Sequence, residues 1–305
     1  MRKVYLIAGV AVLTILVITS LLVMRRSTSV MEPEKKASAL YKAADNLLNA
    51  GKLDEAEFEF KKLISAYPDS NKVPLALYSL CGIRQKQGQI VGAKEACEEL
   101  ISKYSGSELV KDVQKKLGQL NIEILFSPAA TKDSVSYDVA PGDSLFSIAR
   151  KFNTTAELLK RSNNLKTDQL RANMRLKVYK GKFSVVVNKA QNTLTLKSNG
   201  EVFKVYNVST GKDTSITPSG DFKVVNKLVN PVWYTANEAI PAGDPRNILG
   251  TRWLGLDKSG YGIHGTTQPQ SIGKSVTAGC VRMYNREVEE LFDILPVGTE
   301  VTIVE

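Results

Sequence analysis

The hydrophobic period changes along the chain. From about Ala37 to Leu125 apolar residues recur at helical spacing. From Phe183 onward they alternate, as in Phe183-Ser-Val-Val-Val-Asn, Thr193-Leu-Thr-Leu and Phe203-Lys-Val-Tyr-Asn-Val. A chain of 305 residues has room for two or three compact domains. The expected fold class is multidomain α + β: an N-terminal transmembrane helix, α-helical hairpin repeats, a small βααβ unit and a mostly-β C-terminal domain.

The helix expected first is the run Val4 to Met24, which carries no charge and is almost wholly apolar. About 20 helical residues cross a hydrocarbon core roughly 30 Å thick. A cleaved signal peptide would have a shorter apolar stretch ending in small residues. Leu22-Val23-Met24-Arg25-Arg26 suits cleavage poorly, so residues 4–24 are read as a membrane anchor. Arg2 and Lys3 on one side and Arg25 and Arg26 on the other leave its orientation open. Ser27 to Lys36 reads as a polar linker.

Residues 37–125 contain a degenerate repeat. Gly51 to Ser70 reappears at Gly88 to Ser107, an offset of 88 − 51 = 37. Under that shift Ala56 matches Ala93, Leu63 and Ile64 match Leu100 and Ile101, and Tyr67 matches Tyr104. A third, partial helix is expected over Glu108 to Leu120. Such a period signals stacked helical hairpins, and Gly51, Ala56, Phe60 and Pro68 resemble a tetratricopeptide repeat. The resemblance implies a protein partner; a plain helical spacer is the alternative. Three cysteines are present, Cys81, Cys97 and Cys280, so at least one thiol is free. Cys81 and Cys97 fall on facing helices of the second hairpin, where they are expected as two small buried hydrophobes rather than a disulfide.

After a linker from Phe126 to Ser136 comes a strand, a Pro141-Gly142 turn and a helix that Asp143 or Ser144 can cap. Leu145, Ile148, Ala149 and Phe152 follow at helical spacing, then a second short helix at Ala156 to Ser162 and the strand Leu176-Lys-Val-Tyr. Residues 136–180 resemble a LysM domain. The resemblance implies affinity for the glycan of peptidoglycan or chitin, with Gly142, Asp143, Ser144 and Leu145 at the glycan site. A LysM-shaped spacer is the alternative. Asn173 stands where the family has glycine, and Asn tolerates left-handed backbone better than most residues.

The chemistry of residues 183–305 gathers in Tyr261-Gly-Ile-His264-Gly265-Thr266 and Ser275-Val-Thr-Ala-Gly279-Cys280-Val-Arg282-Met. The chain's single histidine and one of its cysteines each sit beside a glycine. A thiol becomes a strong nucleophile when an imidazole takes its proton. A glycine next to it admits a substrate carbonyl and frees backbone N–H groups for an oxyanion. With Ser209-Thr-Gly-Lys212, Thr217-Pro-Ser-Gly220, Asn230-Pro-Val-Trp233 and Gly250-Thr-Arg-Trp-Leu-Gly255, these motifs resemble the YkuD-type L,D-transpeptidases. The resemblance implies Cys280 as nucleophile, His264 as general base and the Gly265 carbonyl orienting His264. It implies oxyanion-hole N–H groups at Gly279 and Cys280, and Arg282 holding an anionic peptide group. Ala278 stands where many members have a second histidine.

The implied reaction cleaves the bond before the terminal D-Ala of a tetrapeptide stem, through a thioester, and passes the acyl group to a neighbouring stem amine. Water would make the activity L,D-carboxypeptidase, and a protein lysine would attach that protein to the wall. A non-catalytic wall tether is the reading of another class. A net charge of +10 favours anionic partners, but no dense basic run interleaved with aromatics points to nucleic acid. One histidine and three cysteines leave little for a metal site, and no cofactor is expected. The expected location is the cytoplasmic membrane, with everything after Met24 outside the cytoplasm.

Overall fold

The computed structural model describes residues 32–212 and 216–305, so the expected anchor at residues 4–24 lies outside the described residues. Among the described residues, no helix is long and apolar enough to cross a membrane. The chain divides into two units, Met1–Lys116 and Leu117–Glu305.

The first unit is helical: α1 at 32–49, α2 Leu53–Ala66, α3 Val73–Lys86, α4 Ile90–Lys103 and the start of α5 Val110–Leu125. α1 takes in residues 32–36, read above as linker. These polar residues are mostly exposed on the first turn, and Ala37 and Ala44 begin the core. The repeat is real in geometry. Gly51 and Gly88 both turn at φ +75°, and the pairs Ala56/Ala93 and Leu63/Leu100 are fully buried.

The second hairpin corrects one expectation: Cys81 of α3 and Cys97 of α4 form a disulfide, Cα–Cα 5.9 Å. Cys97 occupies the place that Phe60 fills in the first copy, so a covalent bond stands where the other hairpin packs a ring. Reduction is expected to lower this unit's stability by about 3 kcal/mol, the chain-entropy value for a loop of some 15 residues. The urea midpoint with and without reductant measures it, and an unmoved midpoint would refute the estimate.

The second unit holds the small βααβ module and the mostly-β domain. The module comprises β1 Ser134–Asp138, α6 Leu145–Lys151, α7 Ala156–Ser162 and β2 Arg175–Tyr179, with β1 and β2 antiparallel. Val139, Leu145, Ile148, Leu159, Leu176 and Val178 form its core. Ser144 caps α6 by accepting from the Ser147 N–H. Asn173 adopts φ +66°, the left-handed geometry its place in the motif demands.

The larger domain runs β3 Phe183–Asn188, β4 Thr193–Ser198, β5 Glu201–Asn207, β6 Thr210–Gly211, β7 Gly220–Val229, β8 Trp233–Tyr234, β9 Ala239–Ile240, β10 Arg252–Leu256, β11 Gly262–His264, β12 Ser275–Thr277, β13 Val281–Arg282, α8 Asn285–Ile294 and β14 Glu300–Val304. Eight strands form one sheet in the order β13-β11-β10-β7-β14-β3-β4-β5. α8 buries Val288, Leu291, Phe292 and Ile294 in the core that this sheet shares.

The module does not hang from a free linker. Leu158 of α7 belongs to the core of the larger domain. The Thr155 hydroxyl donates to the Asp293 carbonyl, and Arg161 pairs with the Asp293 carboxylate at 2.7 Å. The Arg161 guanidinium also lies 3.4 Å from the Phe126 ring centroid. From β2, the Lys177 ammonium donates to the carbonyls of Ile124 (2.8 Å) and Ser127 (2.7 Å), groups left open where α5 ends. Burial draws that lysine's pKa down to about 8. α5 runs to Leu125, beyond the expected Leu120, because Ile122 and Leu125 are wanted in the core.

Candidate active site

Strand register assembles the site. β11 and β13 pair in parallel, Ile263 with Val281 and His264 with Arg282. Ile263 and Val281 face the core, so alternation turns His264 and Arg282 to the other face. Carried one step back, the register sets Cys280 beside Gly262, at the end of that same face. On the next strand, Trp253 pairs with His264, and the two rings stack with centroids 5.9 Å apart. Gly262 makes room for the indole, because a Cβ there would meet Trp253 at 2.6 Å.

His264 is 2% exposed. Its Nδ1 lies 2.7 Å from the Gly265 carbonyl oxygen. A carbonyl only accepts, so Nδ1 carries the proton and the neutral ring presents a bare Nε2. Burial pulls the imidazole pKa down to about 4; Arg282 acts the same way, and the carbonyls of Gly265 and Leu249 oppose it. Cys280 is partly buried, and its Sγ lies 3.5 Å from the Gly260 carbonyl. Burial pushes its thiol up from the ordinary value, against the Gly262 backbone and the Arg282 charge. The resting pair is therefore a neutral thiol and a neutral imidazole, not an ion pair.

The loop around Cys280 is held by Thr277. The Thr277 hydroxyl donates to the Cys280 carbonyl at 2.7 Å and accepts from the Gly279 N–H at 3.2 Å. The Gly279 N–H is thus already engaged, so the Cys280 N–H is the better oxyanion donor. Gly279 is required for another reason: it sits at φ +119°, and a Cβ would strike the Tyr261 ring at 2.8 Å.

Arg282 is 5% exposed, too buried to grip a substrate from its present position. Its Nη1 donates to Gln268 Oε1 (3.2 Å) and Ser271 Oγ (3.1 Å), while Nε has no hydrogen-bond partner. It stands as a fixed positive charge behind Cys280 and His264. Among the described residues no three His, Cys, Asp or Glu side chains converge as a metal site would require.

In the small module, Gly142 turns at φ +88°. The Asp143 carboxylate accepts from Tyr137 Oη (2.7 Å) and the Ala140 N–H (2.9 Å), which holds it below the usual carboxylate range. Leu145 is 2% exposed, a core residue whose side chain packs beneath the turn. The exposed apolar group at this corner is its neighbour Phe146.

A buried imidazole stands one strand from a cysteine in a glycine-shaped loop, the residue types that nucleophilic acyl-transfer chemistry uses. Comparison with known proteins narrows this. The profile of the L,D-transpeptidase catalytic domain (YkuD) matches residues 182–303, that of the LysM domain residues 137–178, and a tetratricopeptide repeat residues 38–70. The chain is 39% identical over 176 residues to the putative L,D-transpeptidase YkuD of Bacillus subtilis, spanning 55% of this chain and 98% of that protein. It is 46% identical over 126 residues to the putative L,D-transpeptidase YqjB of the same species, spanning 40% of this chain and 70% of that one. Among solved structures, an L,D-transpeptidase from Mycobacterium smegmatis aligns with 44% of this chain and 64% of its own at 21% identity and a TM-score of 0.37. The chain belongs to the YkuD family of L,D-transpeptidases.

Proposed function

We propose that the protein cross-links peptidoglycan stems with Cys280 as nucleophile and His264 as general base. One observation carries this reading: the hydrogen bond from His264 Nδ1 to the Gly265 carbonyl, which puts the neutral ring's lone pair on Nε2. His264 Nε2 removes the Cys280 proton as Sγ attacks the carbonyl of the third stem residue. The tetrahedral oxyanion draws on the Cys280 N–H. Collapse breaks the bond to D-Ala, whose amine leaves with the proton from His264, and a thioester remains. The amine of a neighbouring stem then attacks it, giving up its proton to His264 and releasing the thiol. Arg282 favours both the thiolate and the oxyanion by its charge.

The LysM module supplies glycan affinity through the corner from Gly142 to Phe146. Its contacts with α8 keep a bound strand at a fixed place relative to Cys280. The helical repeats serve a protein partner. The protein sits in the cytoplasmic membrane by residues 4–24, with its bulk outside the cytoplasm. The disulfide between Cys81 and Cys97 supports that side of the membrane, since such bonds persist in oxidising compartments.

Incubation of the protein with tetrapeptide-stem muropeptides, read by mass spectrometry, tests the reaction. Expected products are free D-Ala and a dimer linked through the third residues of both stems. Tripeptide without dimer would make water the acceptor and the enzyme an L,D-carboxypeptidase. Unchanged tetrapeptide would overturn the enzymatic reading.

A further inference from the structure

Three segments meet at one oxygen atom beside the general base. They are the loop entering β10, the turn leaving β11 and the first residue of α8. Asn285 Oδ1 accepts from the Thr266 N–H at 2.9 Å and from the Thr251 N–H at 3.3 Å. Two donors on one atom fix the amide's orientation, because Nδ2 cannot accept. Both partner segments carry glycine where they approach. A Cβ at Gly250 or at Gly265 would lie 2.2 Å from Oδ1. At Gly250 it would also meet Thr266 N at 2.3 Å, and this residue turns at φ +66°. The backbone can therefore close around Asn285 only without side chains at these two positions.

The consequence lies in one peptide unit. The carbonyl of Gly265 and the N–H of Thr266 belong to the same planar group. The carbonyl accepts the His264 Nδ1 proton at 2.7 Å. The N–H, pointing the opposite way, donates to Asn285. We propose that Asn285 is a positioning residue for the general base: it holds the Gly265–Thr266 peptide plane, and through that plane the tautomer of His264. The proposal rests on the reading of His264 as base. The residues around the unit are fixed independently. The Met283 N–H donates to the His264 carbonyl at 2.8 Å, and the Gly265 N–H to the Arg252 carbonyl at 3.2 Å. Of the peptide planes next to His264, the one after Gly265 is the one whose N–H is held by Asn285. Once released, it rotates and withdraws its carbonyl from Nδ1. The ring can then place its proton on Nε2, where it has no lone pair for the thiol. The same contacts tie α8 to the site, with the Thr251 hydroxyl donating to Glu289 at 2.7 Å one turn further on.

The test uses Asn285→Ala, Asn285→Asp and Asn285→Ser in the full chain. Its single histidine makes the ring ¹⁵N shifts unambiguous. In the native protein they should report a protonated Nδ1 and a bare Nε2. Asn285→Ala should shift the balance toward protonated Nε2. It should lower kcat on the tetrapeptide, by up to the roughly 10²- to 10⁴-fold that a positioned general base contributes, with KM little changed. Asn285→Asp keeps an acceptor in place and should retain the native tautomer and a rate within a few-fold. A role confined to holding the loop would change stability without moving the nitrogen shifts. If Asn285→Ala does not fold, Asn285→Ser carries the test, since its oxygen is too short to reach Thr266. Native shifts and native kcat in a folded Ala or Ser variant overturn the proposal. The shifts do not depend on turnover, so failure of His264 as base, seen as a native rate in His264→Ala, remains a separate result.

Discussion

Replacing Cys280 by Ala is expected to reduce D-Ala release from a tetrapeptide stem by roughly four orders of magnitude or more, to the level of binding alone. In the proposed reaction the thiol sulfur forms the bond, and the described residues offer no other free thiol. Cys81 and Cys97 are joined to each other, so Cys280 is the one free thiol. His264→Ala should cost nearly as much. The thiol's pKa is already raised by burial, so little thiolate exists near neutral pH without a base. The double variant should be no worse than either single one, because a nucleophile and its base act as a unit. Intact-mass spectrometry should find the acyl intermediate on native protein, mapped to the peptide containing Cys280, and none on Cys280→Ala. Substantial turnover by Cys280→Ala would remove the nucleophile from the mechanism. A His264→Ala rate near native would mean that another group takes the proton.

The parts legible in the sequence were those carried by local pattern. His264-Gly265 and Gly279-Cys280 stand out because histidine and cysteine are rare here, and glycine beside a nucleophile has a direct steric meaning. The βααβ module could be read because its cap, its Pro-Gly turn and its helical spacing lie within one short stretch. What stayed hidden depends on contacts between distant residues. Cys81 and Cys97 read as small core residues on facing helices; that the helices set their Cα atoms 5.9 Å apart, within bonding distance, is a tertiary fact. Thr155, Arg161 and Asp293 are ordinary surface types; their meeting joins the module to the larger domain. The sequence leaves the Gly279 N–H open for an oxyanion, whereas in the fold it donates to the Thr277 hydroxyl. Asn285 read as the first residue of a helix, whereas its oxygen faces two glycines some 20 and 35 positions away in sequence. Arg282 is 5% exposed, a depth that a strand of two residues does not reveal in sequence.

The fully buried imidazole makes a second large effect, this time on stability. In the unfolded chain His264 should titrate near the ordinary value of about 6.5, and in the folded protein at about 4. Between these values the unfolded state binds the extra proton and the folded state does not. Acid therefore favours unfolding: the contribution is whole above pH 6.5, shrinks as pH falls, and is exhausted near pH 4. Each unit is worth about 1.4 kcal/mol, so the full loss is on the order of 3 kcal/mol. Carboxylates titrate in part of the same range. Asp293, raised by burial, works in the opposite sense, since the folded state holds its proton more readily. The difference between native protein and His264→Gln removes these shared terms. Urea midpoints of the two should run parallel above pH 6.5. They should then diverge, with the native protein losing more, and run parallel again below about pH 4. In the native fold the lone imidazole should stay neutral by NMR until close to pH 4, and the acid limb of kcat/KM should fall no earlier. Parallel midpoints throughout, or an imidazole titrating near 6.5, would mean that the ring is open to water, and the case for a neutral resting pair would go with it.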